Sequence, residues 1–232
     1  MKRLPRFDPY NDFAGHGKFS MPLLEKCSIN ISGIREWLPF NVARSYKESR
    51  KLTGVHFFIF DEGFSACWNN KDILKKISDF TVVATPDFST YTDMPLAHQV
   101  WQRFRSQYIG AWMQQVLGYQ VIPTLCWSTE DSFEFTFDGI PKGSVCITNS
   151  MGINTHDHRV CHLHRTGLKE AIRKIEPSKI LVYGGAKDFY PPYDYVDIKP
   201  FWKGMVARCE EKRAAEPPKE PIFAPPPVLE FG

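Results

Sequence analysis

The sequence predicts an α/β fold: a mainly parallel sheet of about five βα units, with an irregular N-terminal arm and an extended proline-rich C-terminal tail. Three observations predict it. Short, continuous apolar runs recur, as in strands buried on both faces. Segments with helical periodicity alternate with these runs. The spacing from strand to helix to strand suits right-handed βαβ crossovers. Such strands form either an open doubly wound sheet or an incomplete, irregular βα barrel, and the spacing accommodates both.

Residues 1–18 read as an irregular arm, and residues 19–200 as a single α/β domain. Phe19–Leu24 and Ile29–Ile31 are short apolar pieces among turn residues, and Ala43–Lys51 is charged. Regularity begins at Val55–Phe60, a strand closed by Asp61-Glu62-Gly63. Asn69 or Asn70 caps a short helix with Ile73, Leu74 and Ile77 on its inner face. Thr81–Ala84 is the next strand. A long helix follows, capped by Asp93, with Pro95 in its first turn and Gly118 at its end. Its apolar side carries Ala97, Val100, Trp101, Phe104, Tyr108, Trp112 and Val116, the expected buried face.

Tyr119–Trp127 is a third strand, and Phe133–Phe137 alternates like a hairpin arm or edge strand. Ser144–Thr148 is a fourth buried run. Leu168, Ala171, Ile172 and Ile175 share one helix face, and Glu176-Pro177 ends that helix. Lys179–Tyr183 is the fifth strand. A short helix over 201–215 leads to residues 216–232, which contain six prolines and read as an extended tail.

Composition limits the function classes. At 232 residues and 43% apolar, the chain can bury a large core. A formal net charge of +3 does not by itself argue for nucleic acid. The first eight residues lack an apolar signal core, and no run approaches the roughly 20 apolar residues of a membrane span. Six scattered cysteines without a C-x-x-C pair suit a reduced, cytoplasmic protein, with Cys67, Cys126 and Cys146 as buried thiols.

In a parallel sheet the C-terminal strand ends share one edge or mouth, where ligands bind. The polar loop Thr85-Pro-Asp-Phe-Ser-Thr-Tyr-Thr-Asp-Met-Pro95 leaves such an end. The residues expected to converge are Asp61 with Glu62, Asp87 with Ser89 and Tyr91, Trp127 with Glu130 and Asp131, Asn149 with Ser150, and Tyr183 with Gly184. Asp61, Asp87 and Glu130 are the candidate catalytic carboxylates, able to hold a divalent metal or to act as acid and base. Ser89, Tyr91, Trp127, Asn149 and Tyr183 are the candidate substrate-binding residues. Asp87, Asp93 and Asp61 also have structural readings, as an Asx turn, a helix cap and a solvated turn.

A second constellation, His156-Asp-His-Arg-Val-Cys-His-Leu-His164, offers His156, His158, Cys161 and His162 as transition-metal ligands. Its spacing matches no zinc module, and a solvated loop whose last histidines begin the next helix explains it as well. His56 reads as a core histidine and His98 as exposed. The face Gln99, Gln102, Arg103, Arg105, Ser106 and Gln114 of the long helix is either solvated or a phosphate-contacting surface. Gly184-Gly-Ala-Lys187 follows a strand but lacks the phosphate-loop pattern, and no G-x-S-x-G elbow is present.

Several phrases belong together: Ser20-Met-Pro-Leu-Leu24, His56-Phe-Phe, the long Thr85–Pro95 phrase, Val121-Ile-Pro-Thr-x-x-Trp127, Phe137-Asp-Gly-Ile-Pro141 and Val182-Tyr-Gly184. In order and spacing they resemble the domain-of-unknown-function 4417 family, encoded largely by bacteriophages and bacterial mobile elements. The likeness spans roughly residues 19–185. It implies an origin and a domain extent, and it carries no catalytic role. The histidine-rich stretch and the proline-rich tail depart from the family pattern.

The expectation is therefore a phage or mobile-element accessory protein with a polar, acidic pocket. Its activity would be metal- or carboxylate-dependent hydrolysis of a nucleotide-like small molecule. The alternative is a non-enzymatic protein that binds a host factor or nucleic acid through the Arg-bearing helix and the tail.

Overall fold

The computed structural model describes residues 13–202. The proline-rich tail, most of the expected 201–215 helix and the first part of the arm lie outside the described residues. Phe13 already packs edge-on against Tyr108, with ring centroids 5.1 Å apart. A small antiparallel pair follows, β1 (Gly15–His16) and β2 (Met21–Pro22).

The core of the fold is parallel sheet. One sheet holds β3 (Glu36–Pro39), β4 (Thr53–His56), β5 (Val82–Ala84) and β6 (Val121–Ile122), side by side in chain order. The other holds β7 (Val145–Asn149), β8 (Lys179–Tyr183) and β9 (Tyr195–Ile198), again in order. Every neighbouring pair within these two sheets is parallel. Pro123 has no N–H and ends β6 early. The ladder resumes beyond it through a parallel bridge from Thr124 to Ile147, with Leu125 N–H donating to the Ile147 carbonyl at 2.7 Å. The strands thus form one sequential array. It contains two strands that were not foreseen, β3 and β9, each of only four residues and flanked by charged or proline-bearing sequence.

Side-chain contacts decide between an open sheet and a barrel. Neighbouring strands lie about 4.8 Å apart, so β4 and β8, four places apart in the array, would be roughly 19 Å apart in a flat sheet. Instead the rings of His56 on β4 and Tyr183 on β8 have centroids 4.2 Å apart. Trp37, Val82, Ala84, Ile122, Val145, Ile147, Leu181, Tyr183 and Ile198 form one buried cluster drawn from six strands. The array curls into an irregular, incomplete βα barrel. β3 and β9 flank the open seam, a cleft of about 700 Å³ lined by Trp37, Leu181, Val196 and Ile198.

Strand alternation sorts the rest. Leu38, Val55, Val83 and Val121 point outward and pack with Phe64, Trp68, Tyr108 and Ile109. Cys146, Ile180 and Val182 point outward against Leu168, Ala171 and Ile175 of α4 (His158–Ile175). Asp157 caps α4 by accepting from the backbone N–H groups of Arg159 and Val160. The helix before β5 is split into a short α-turn, Ala66–Asn69, and a 3-10 stretch, Lys71–Ile77, which Asn70 caps. The expected strand at Phe133–Phe137 is instead part of a 3-10 segment, Glu130–Glu134, and turns. No helix among the described residues is long and apolar enough to cross a membrane.

The long helix overturns an expectation. It spans Leu96–Ala111 and continues as a π-helical turn over Trp112–Val116. Pro95 is its N-cap residue, so Asp93 does not cap it. Its buried face includes Gln99, Gln102, Arg103, Ser106 and Gln107, while Ala97, Trp101 and Val116 are exposed. The apolar stripe expected inside lies partly outside. Of the polar stripe expected in solvent, or against phosphates, Gln99, Gln102, Arg103 and Ser106 are inside, where Arg103 cannot reach a nucleic acid, and Arg105 and Gln114 are half-buried.

The barrel interior has no room to spare at Gly54. A Cβ there would sit 2.6 Å from the Trp37 ring. Gly54→Ala is expected to destabilise the protein by about 1–3 kcal/mol through overpacking. Chemical denaturation would measure the change, and an unaltered midpoint would contradict the interior packing described.

Candidate functional site

At the C-terminal ends of β5, β6 and β7 lies a cavity of about 440 Å³. Asp87, Ser89, Thr90 and Tyr91 line it from the loop after β5. Cys126 and Trp127 come from the chain after β6, Asn149 from the end of β7, and Val160 and His164 from α4. Of the residues predicted from sequence, Asp87, Ser89, Tyr91, Trp127 and Asn149 therefore line one cavity.

The buried stripe of the long helix (α3, Leu96–Ala111, counting α1 at Phe40–Ala43 and α2 at Ala66–Asn69) holds the loop in place. Gln99 Nε2 donates to the Met94 carbonyl at 2.8 Å, and Gln102 Nε2 to the Ser89 carbonyl at 3.1 Å. Ser106 Oγ donates to the Pro86 carbonyl. These residues stand three and four apart, so one helix face satisfies successive loop carbonyls that burial would otherwise leave unpaired. Asp61 holds the loop from the other side. Its carboxylate accepts from Ser89 Oγ at 2.9 Å and from Ser89 N–H at 3.3 Å.

Asp87 is the unusual group. Its Oδ1 is fully enclosed and has no hydrogen-bond partner among the described residues. Burial pushes its pKa up from 3.8 to about 6, against the pull of the Arg103 guanidinium and a hydrogen bond with Cys126, while Asp61 adds a small push upward. Arg103 is 1% exposed. Its Nη2 donates to the Thr124 carbonyl at 3.2 Å, and its Nε and Nη1 lack partners among the described residues. The Cys126 thiol, 3.2 Å from Thr90 Oγ1, is pushed up to about 12, chiefly by burial and then by Asp87, so it stays protonated.

The opposite wall is aromatic. The Trp127 indole N–H donates to the Leu163 carbonyl at 3.1 Å. Its ring rests on Gly167, where a Cβ would come within 2.2 Å, so α4 must carry glycine there. His164 meets Trp127 edge-on at 5.5 Å. Burial lowers His164 to about 4, and its Nδ1 is enclosed without a partner among the described residues. Of the histidine-rich stretch, His164 is the histidine that lines the cavity, where its place on α4 sets it against Trp127.

Other predicted residues fall elsewhere. Glu130 is exposed and does not line the cavity; its Oε1 lies 3.8 Å from His162 Nε2. Tyr183 is buried in the barrel interior, where its hydroxyl accepts from Phe201 N–H at 3.1 Å, so it cannot orient a ligand in this cavity. His156 and His158 are exposed, and the Cys161 thiol turns back toward the Thr155 carbonyl at 3.4 Å. Among the described residues no group of three or more His, Cys, Asp or Glu side chains is arranged to hold a metal ion. Neither Asp61 with Asp87 and Glu130, nor His156 with His158, Cys161 and His162, makes such a set.

A barrel whose strand ends carry a polar cavity defines the class of protein, an α/β-barrel protein with a ligand-sized pocket at the usual face. The family model "Domain of unknown function (DUF4417)" matches residues 13–201, and the chain belongs to this family. It is similar to the Gene 1 protein of Mycobacterium phage L5, 36% identical over 184 residues, which cover 77% of this chain and 78% of that one. It is also similar to the Gene 1 protein of Mycobacterium phage D29, 31% identical over 230 residues, covering 95% and 82% respectively. No solved structure matches the chain significantly.

The Asp87 environment sets a pH dependence. Its folded pKa, about 6, lies above the value of 3.8 for an unperturbed carboxyl. The folded chain therefore binds this proton more tightly, and the group's contribution to stability falls as pH rises from about 4 to about 6. Asp87→Asn removes that loss. The stability of the variant relative to wild type is expected to rise across this window by at most about 3 kcal/mol and to level off above it. Denaturant titrations at pH 4.5, 6 and 7.5 would measure it; a pH-independent difference would contradict the buried carboxyl.

Proposed function

We propose that this protein is a phage or mobile-element accessory enzyme that hydrolyses a nucleotide-like small molecule in the host cytoplasm, with Asp87 as the proton-transferring group. The observation that carries the reading is a carboxyl with an enclosed, unpartnered oxygen on the wall of a ligand-sized cavity. A carboxyl titrating near 6 suits general acid–base work close to neutral pH. In this reading ionised Asp87 takes a proton from the attacking water and returns it to the leaving group. Asp61 and the glutamines of α3 position the loop, and Trp127 supplies an aromatic wall.

The carboxylate form of the reading is preferred to the metal form because the candidate ligands do not gather. Glu130 takes no role in it. The phage origin of the Gene 1 relatives supports the cellular setting.

The test is a screen of nucleosides and nucleoside mono- and triphosphates for turnover, with products separated by chromatography. Wild-type protein is expected to convert at least one of them. Asp87→Asn should lower kcat by about 100-fold or more, and Trp127→Ala should mainly raise KM. An Asp87→Asn protein as active as wild type would remove the assignment.

A further inference from the structure

We infer that the cavity recognises an uncharged lactam-type heterocycle, the base of a nucleoside, and takes no part in binding phosphate. This rests on the reading of the cavity as the ligand site and narrows it to a substrate class. The first argument is charge. None of the residues lining the cavity is a lysine or an arginine. The buried Arg103 does not line it: its Nη2 donates to the Thr124 carbonyl, and its charge acts on Asp87 from behind the wall. The adjoining helix start is not open to an anion either, because Asp157 already accepts from the N–H groups of Arg159 and Val160.

The second argument is the polarity of what the cavity does offer. Asp87 lines the cavity, and its carboxyl carries an oxygen, Oδ1, that accepts from nothing among the described residues. Asn149 Oδ1 accepts from Met151 N–H at 2.8 Å, which fixes the amide and leaves its NH₂ group as the one it can offer. One acceptor and one donor match a ligand edge with an N–H beside a carbonyl. Trp127 gives a flat apolar surface to a planar ring. A charged phosphate would be desolvated here without a partner, whereas a lactam edge would satisfy groups that are otherwise unpaired.

Calorimetric titration of the full-length chain separates the two possibilities. The probes are uridine, guanosine, their 5′-monophosphates, and the ring-N-methylated nucleosides that lack the donor. A nucleoside is expected to bind within about threefold of its monophosphate, with little change between 50 and 300 mM salt. Ring N-methylation and Asp87→Asn should each weaken binding about tenfold or more. Thermal denaturation confirms that the variant is folded. A monophosphate that binds more than about tenfold tighter than its nucleoside and still depends on Asp87 would overturn the heterocycle inference and leave the site standing. Binding that is indifferent to Asp87→Asn and His164→Ala, or no binding by any probe, would overturn the site itself.

Discussion

The hydrogen bonds from α3 to the loop after β5 are the constraint on which the candidate site depends. A loop that leaves a buried strand end carries carbonyls that water cannot reach, and each must find a donor. Gln99, Gln102 and Ser106 supply those donors from one helix face. With the loop fixed, Asp87 is held in the wall, and Ser89 is in reach of Asp61. Each such bond has a modest net worth, about 1 kcal/mol, but an unmade one would leave a buried carbonyl uncompensated. The helix therefore serves as a polar scaffold on its inner side and leaves part of its aromatic surface, Trp101 among it, outside.

The curl of the sheet is the second constraint, and it explains which strand ends meet. Inward residues are alternately small and large: Gly54 gives way to the Trp37 ring, and His56 lies against Tyr183. His56 is tolerated there because it is held neutral, its pKa lowered by burial to about 3, while its Nδ1 accepts from Phe58 N–H at 3.1 Å. This filled interior puts Tyr183 out of reach of the cavity. The cavity forms where the β5 loop, the chain after β6, the end of β7 and α4 come together.

These features were legible in the sequence to different degrees. The loop from Thr85 to Pro95 and the strand end at Asn149 could be read directly, because apolar runs mark strands and polar residues mark their exits; the strand expected over Tyr119–Trp127 is only Val121–Ile122, since Pro123 interrupts it. The parallel direction of the strands followed from the same pattern; their order did not, because a doubly wound sheet and a barrel arrange the same units differently. Curvature could not be read, since no local pattern distinguishes an open sheet from a curled one. The burial of α3 was misread for a physical reason: hydrophobic periodicity assumes that helices bury apolar faces, whereas this one buries donors aimed at loop carbonyls. Glu130 was sequence-near to Trp127, but a 3-10 turn directs it to His162 instead.

Three carboxyls near buried structure show why Asp87 stands apart. Asp61 is occupied by the hydroxyl and amide of Ser89. Asp138 is also pushed up by burial, but His16 and Lys174 pull it down, and its Oδ1 lies 3.7 Å from His16 Nδ1. Both have neighbours that account for their place in the fold. Asp87 has an electrostatic partner in Arg103 and a thiol donor in Cys126, yet burial still outweighs them and one enclosed oxygen has no hydrogen-bond partner among the described residues. An apolar residue at this position would avoid that penalty but would leave the buried Arg103 guanidinium without its neighbouring carboxyl. Asp87 therefore stands where a buried guanidinium meets the cavity wall at the C-terminal strand ends.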